Sequence, residues 1–192
     1  MRTFVITVLG IGLLSACGGG GGGGGGGGVG GGDAVNPDLL AYVNEGQRLL
    51  GKLENSTETS PANLPTGQVT YRGVGVVNAN PGNPQKLSPT AFGKARVDAN
   101  FDTNTLEASV DDFVDVDTGE NVNGRLLIRN GTLRDGAIAG NLSGRLDGGA
   151  ISGVGEGGFA GDRGETVGIA MNGSISGGGF DGDFEGAIIG DR

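Results

Sequence analysis

The chain has 192 residues, with 22 acidic and 13 basic side chains, so its net charge is −9. This length suits one domain with a sizeable core, and the acidity disfavours nucleic acid, whose phosphates would be repelled. Histidine is absent and Cys17 is the only cysteine, which excludes disulfides within the chain, histidine–cysteine zinc sites and catalytic triads with a histidine base. Carboxylate-pair or serine–lysine chemistry remains open, but we expect no enzyme, no cofactor and no resident metal.

The N-terminus has the features of a secretion signal. Arg2 precedes an apolar run over residues 3–14, which is too short to span a bilayer permanently but suits a signal-peptide core. The run ends in Leu14-Ser15-Ala16-Cys17, which resembles the lipobox of bacterial lipoproteins. The resemblance implies a signal peptide over residues 1–16 and lipidation of Cys17, which anchors the chain to a membrane. An ordinary signal peptide with a chance cysteine is the alternative.

Residues 17–35 are almost entirely glycine after Cys17, with an unbroken run over residues 18–28. Glycine has no side chain to bury and maximal backbone freedom, so we expect a disordered tether. Its root-mean-square span is about 20 Å. Gly18 replaces the aspartate that often retains lipoproteins at the inner membrane, and the resemblance therefore favours the outer membrane.

Residues 36–66 are predicted to hold a short helix and a loop. Asn36 is a favourable N-cap, Pro37 suits the first turn, and Asp38 complements the positive helix end. Four apolar residues recur at helical spacing and predict a helix that extends to about residue 53: Leu39, Val43, Leu50 and Leu53. We expect this helix either to cover a mouth or wall of the following domain or to bind a partner. Pro61 and Pro65 lie in the polar loop that follows.

From residue 67 onward the apolar period changes from helical to two, which is typical of half-buried antiparallel strands. Strands are predicted near residues 68–78, 93–101, 106–111, 122–129, 138–146, 151–159, 165–172 and 180–188. Because short turns join consecutive strands, the sequence predicts an all-β domain over residues 67–192, a single eight-stranded antiparallel up-and-down β-barrel. Glycines beside phenylalanines would fill a narrow interior. The alternatives are a disordered tail and a transmembrane barrel, whose outer face would be apolar rather than charged.

Three short motifs accompany the predicted barrel. They are Leu64-Pro65-Thr66-Gly67 leading into Val69-Thr70-Tyr71-Arg72-Gly73, then Ala99-Asn100-Phe101-Asp102-Thr103-Asn104-Thr105-Leu106, and finally Gly158-Phe159-Ala160-Gly161. With the lipobox and glycine run, residues 64–192 resemble the transferrin-binding-protein-like surface lipoproteins of Gram-negative bacteria. The resemblance implies binding of host iron carriers, haem proteins or complement regulators, in several members beside a TonB-dependent receptor. This chain has one barrel rather than two lobes, and Ala160 and Asp162 replace a tyrosine and a proline of the family pattern. No family binding residue transfers to a numbered position here.

The most acidic stretch is the leading candidate site. Residues 98–120 contain eight acids and no lysine or arginine. The partner-binding loop predicted within this stretch comprises Asp111, Asp112, Asp115, Asp117 and Glu120. A calcium loop is a second interpretation, although Gly119 falls too early for the EF-hand pattern and no acid follows at the closing position. A solvated hairpin loop is the third.

Other residues with possible chemistry have simpler interpretations. Without histidine, axial haem ligation would require Tyr42, Tyr71, Met171 or a partner's residue, but Tyr71 lies on a predicted inward face and suits core packing. The other group, Asp181, Asp183 and Glu185, shares one exposed strand face, which gives no reason for the shifted pKa values of catalytic carboxylates.

The sequence thus predicts a non-enzymatic, outer-membrane lipoprotein, monomeric and displayed at the cell surface, that binds a protein or an iron- or haem-bearing ligand. Its expected partners are the membrane, through the lipid anchor, and an iron or haem carrier or a TonB-dependent receptor. The alternative function is a periplasm-facing structural or assembly lipoprotein of the envelope.

Overall fold

The structure is a computed structural model that describes residues 36–79 and 90–192. The predicted signal peptide, the lipidation site Cys17 and the glycine tether lie outside these residues. Within the two described ranges, no helix is long and apolar enough to cross a lipid bilayer.

Helix α1 spans Pro37–Glu54 and confirms the prediction from the sequence. The Asn36 side chain accepts a hydrogen bond from the Asp38 amide at 2.9 Å, which satisfies one of the free amides of the first turn. Leu49 and Leu53 are the buried residues of α1, whereas Leu50 is only half-buried. The spacing predicted Leu50 on the buried face of the helix, but the structure buries its neighbour Leu49 instead.

In the described part of the chain nine strands follow, separated from α1 by a 3-10 turn over Pro61–Asn63. They are β1 (Gln68–Ala79), β2 (Ala91–Asn100), β3 (Thr105–Asp115), β4 (Asn121–Val122), β5 (Gly124–Arg134), β6 (Ala137–Leu146), β7 (Gly149–Ala160), β8 (Thr166–Gly177) and β9 (Phe180–Asp191). Strand β4 is a two-residue addition to β3. The other eight pair antiparallel in chain order, and pairing of β9 with β1 closes the sheet. The predicted eight-stranded up-and-down barrel is confirmed.

The barrel interior is a filled core. Its largest fully buried side chains include Tyr71, Phe113, Phe184 and Met171. Glycine is needed where the interior is too narrow for a side chain, as at Gly75, whose Cβ would overlap the Val110 side chain. At Gly153 a Cβ would instead overlap the carbonyl oxygen of Asn172 on the neighbouring strand. The high glycine content of the strands therefore reflects close packing.

Helix α1 packs against the outer wall of the barrel. Leu49 lies beside Gly73 of β1, and Leu53 lies beside Gly168 of β8, so two glycines make room for two leucines. Polar contacts complete the attachment, since Arg48 and Lys52 each reach the Asp191 carboxylate at 3.0 Å. The sequence left open whether the helix covers a mouth or a wall of the domain, and in the structure it covers the wall.

The segment between α1 and β1 crosses one end of the barrel. Thr59 donates a 2.9 Å bond from its amide to the Phe159 carbonyl and a 2.7 Å bond from its hydroxyl to the Gly161 carbonyl. Leu64 then packs against the core, and Gly67 donates its amide to Asp102 at 2.9 Å. This end is covered, and we call it the closed end. At the opposite end, where β3–β4, β6–β7 and β8–β9 are joined, none of the described residues crosses the barrel, and we call it the open end.

Candidate functional site

The open end gathers acidic residues from hairpins that are distant in sequence. We define the acidic rim as Asp115, Asp117, Glu120, Asp147 and Asp181. The hairpins touch one another, because the Asp147 amide donates to the Asn123 carbonyl at 2.7 Å and Gly148 lies against Gly178. An up-and-down meander places alternate hairpins at the same end, so this gathering follows from the topology.

The loop between β3 and β4 is a preformed part of the rim. The Asp115 carboxylate accepts hydrogen bonds from the amides of Asp117 and Thr118 at 2.9 and 2.8 Å, and from the Thr118 hydroxyl at 3.0 Å. Backbone bonds between Asp115 and Glu120 and between Gly119 and Asp115 close the turn. The carboxylate of Asp115 therefore organises the loop, and Asp117 and Glu120 are exposed residues of the same loop.

Asp111 and Asp112 lie on β3 rather than in the loop. The pairing of β2 with β3 shifts between Phe92 and Lys94, and Asp112 has a φ of 52°, which marks a β-bulge. The extra residue keeps Asp112 exposed and returns Phe113 to the core. Asp111 lies 3.8 Å from Arg125 across the outer face. The structure therefore brings three of the five predicted residues together at the rim and leaves two on the wall.

Asp112 instead lines a groove between α1 and the barrel wall. The groove has a volume of about 770 Å³. The charged and phenolic side chains that line it are Asp38, Tyr42, Glu45, Arg72, Lys94, Asp112 and Asp191. Partial burial, together with Asp112, Asp38 and Asp111, raises the pKa of Tyr42 above its ordinary value. Asp38 of α1 and Asp111 and Asp112 of β3 thus lie near the Tyr42 hydroxyl, while Arg72 and Lys94 line the same groove.

The residues considered for metal or haem binding are placed as follows. In the part of the chain that the structure describes, no three aspartate, glutamate, histidine or cysteine side chains converge to hold a metal ion. Tyr71 and Met171 are both fully buried in the barrel core, and the Tyr71 hydroxyl donates to the Gly164 carbonyl at 2.8 Å. The core packing expected for Tyr71 is confirmed. Tyr42 lies in the groove beside α1.

Two rim residues, Asp147 and Asp181, were absent from the predicted site. Asp147 stands alone in the β6–β7 turn, and Asp181 was placed with the acids of one strand face, where the structure also finds it. In an up-and-down barrel, alternate hairpins lie at the same end. Asp147 and Asp181 could therefore have been assigned to the rim from the strand order, but not from local charge density alone.

Comparisons with known proteins add a single kind of match. No family model matches the chain, and no curated protein matches it. Two crystal structures of the vaccine antigen Transferrin Binding Protein B from Haemophilus parasuis Hp5, a double mutant and a single mutant, are similar to it. Sequence identities are 16% and 17%, the TM-score is 0.45 for both, and each covers 70% of this chain. The chain spans only 27% and 29% of those two proteins. The assignment of a barrel rests on the strand pairing in this structure and not on these matches.

Proposed function

We propose that this chain is a non-enzymatic binding module, anchored to the outer membrane by lipidated Cys17 and displayed at the cell surface. In this proposal, the acidic rim and the adjoining groove contact a protein partner with a basic surface. The partner classes are an iron or haem carrier and a TonB-dependent receptor. The tether of residues 17–35 would let the barrel reorient while it captures that partner.

The observation that carries the proposal is the difference between the two barrel ends. The closed end is covered by the chain's own residues through Thr59 and Leu64, and the interior is filled. Exposed carboxylates occur at both ends, but those of the open end lie on described hairpins that contact each other and whose turns contain no lysine or arginine. Loops held by a rigid scaffold are the usual carriers of binding residues, and like charges gathered on one surface steer an oppositely charged partner.

The test compares a rim variant with a control of equal charge. The rim variant carries Glu120→Gln, Asp147→Asn and Asp181→Asn, three exposed residues of the open end. The control carries Glu107→Gln, Glu156→Gln and Asp162→Asn, which are exposed elsewhere. Binding of the full chain to iron-loaded transferrin and to haemoglobin is measured by biolayer interferometry. For a bound probe we expect the rim variant to be about tenfold weaker, since exposed ion pairs contribute a few tenths to about 1 kcal/mol each.

The control should bind that probe as the unchanged chain does, and added salt should weaken binding by screening the rim. Failure of both probes to bind, or equal loss in the two variants, would contradict the proposal for iron and haem carriers.

A periplasm-facing structural or assembly role is the second candidate. The filled core and the use of the Asp115 carboxylate within its own loop favour it, because neither feature serves a ligand. The two roles differ in the side of the membrane on which the barrel lies.

A further inference from the structure

Arginines line one side of the barrel wall. We define the arginine wall as Arg125, Arg129 and Arg134 on β5 with Arg145 on β6, all of them exposed. Neither strand carries an aspartate or glutamate. A second bulge produces this alignment, since the β5–β6 register shifts between Arg129 and Thr132 and Asn130 has a φ of 52°. If the same sequence formed a regular strand without this bulge, strict alternation would place Arg134 on the face opposite to Arg125 and Arg129.

The opposite side of the barrel is acidic. Asp181, Asp183 and Glu185 occupy the outer face of β9. In the closed strand order, β9 lies four strands from β5 in either direction, so the two faces are diametrically opposed. The barrel therefore carries a transverse charge dipole in addition to its acidic rim, and an anionic surface would attract one side of it and repel the other.

Only Arg125 of the arginine wall has an ion-pair partner among the described residues. Arg125 and Arg145 are directly opposed in the β5–β6 register, an arrangement in which like charges destabilise a sheet. The nearest carboxylate is that of Asp111, 3.8 Å from Arg125. Among the described residues, Arg129, Arg134 and Arg145 form no ion pair. Glu107 on β3 lines a surface depression with Arg125 and Arg129, and Glu156 on β7 lines another with Arg134. Arginine favours carboxylate and phosphate ligands, which it can bind through two parallel hydrogen bonds.

The shape of the wall favours an extended anionic surface over a small anion. Arg125 and Arg134 are nine residues apart on one strand, about 30 Å. Because barrel strands are tilted, the four arginines spread over an area that a single small anion cannot bridge. The described fold also begins next to the loop that leads into β5. The Asn36 side chain, where the described fold begins, donates to the Gly119 carbonyl at 2.7 Å in the loop leading into β5. Thirty-five residues precede it.

We propose that the arginine wall docks the barrel sideways onto the phosphate-bearing headgroups of an anionic membrane. This contact leaves the acidic face of β9 directed away from the membrane and the rim accessible at its edge. It does not require that the rim bind a partner.

The test measures partition of the unacylated full chain onto vesicles of phosphatidylcholine, with or without phosphatidylglycerol. The variant is Arg129→Gln with Arg134→Gln. The control is Arg72→Gln with Arg163→Gln, which changes the net charge equally at exposed positions off the wall. The N-terminal segment is common to all three proteins, so differences in the lipid concentration for half-binding report the substituted arginines.

We expect phosphatidylglycerol to lower that concentration for the unchanged chain. The wall variant should raise it about fivefold for each arginine removed, the control should raise it much less, and added salt should abolish the difference. Equal shifts in the two variants would overturn the proposal. So would an unchanged chain indifferent to phosphatidylglycerol, which would direct the wall toward an acidic protein instead. Thermal unfolding of all three proteins establishes that each is folded, and none of these outcomes depends on the rim.

Discussion

At the residue scale, Tyr71 shows how burial alters chemistry in this barrel. Burial raises its pKa to about 12, Glu165 adds to this and Arg192 opposes it. The neutral phenol is the form that the fold stabilises, and its hydroxyl donates to the Gly164 carbonyl beneath the closed end. The residue therefore ties β1 to the β7–β8 turn and is not available as a ligand.

We expect this phenol to make the protein sensitive to alkaline pH. Its pKa is higher in the folded state than the ordinary value of about 10, so its contribution to stability is complete below pH about 10 and is lost as pH rises toward about 12. Urea unfolding at pH about 8 and about 11 measures this. Tyr71→Phe should be about 1 kcal/mol less stable than the unchanged chain at pH about 8, but it should lose less stability on alkalinisation than the unchanged chain does. An equal alkaline loss in Tyr71→Phe and the unchanged chain would contradict this expectation.

At the element scale, the attachment of α1 to the barrel wall depends on one face of the helix. Leu49 is fully buried against Gly73, while its neighbour Leu50 is half-buried. Leu49→Ala should therefore lower the free energy of unfolding by about 2–3 kcal/mol, and Leu50→Ala by about 1 kcal/mol or less. Chemical denaturation of both variants checks the difference. A larger loss for Leu50→Ala would mean that α1 packs with the face that spacing alone predicted.

The elements also show what the sequence could and could not predict. Asn36 and Pro37 define the start of α1, and the period of two defines the strands, because both are local signals. The bulges at Asp112 and Asn130 were not predicted, since a bulge depends on the register of the partner strand. As a result, Asp111 and Asp112 were assigned to the loop with Asp115, and the arginines of β5 were not recognised as one face. The pairing of Leu49 with Gly73 is likewise a contact between distant segments.

At the scale of the whole molecule, the charges are segregated although the chain is acidic overall. The rim occupies the open end, the acids of β9 one side, and the arginine wall the opposite side. The closed barrel makes this segregation possible, because eight paired strands fix each outward residue relative to all the others. Binding at the rim and docking at the wall use different surfaces, so the two proposals can fail independently.

Display of the barrel at the cell surface is the claim on which the proposed function depends. An antibody raised against the folded barrel should be applied to intact bacteria that produce the full chain, with lysed cells as the positive control. We predict that intact and lysed cells bind the antibody to a similar extent. Binding only after lysis would place the barrel in the periplasm, contradict surface capture and favour the structural or assembly role.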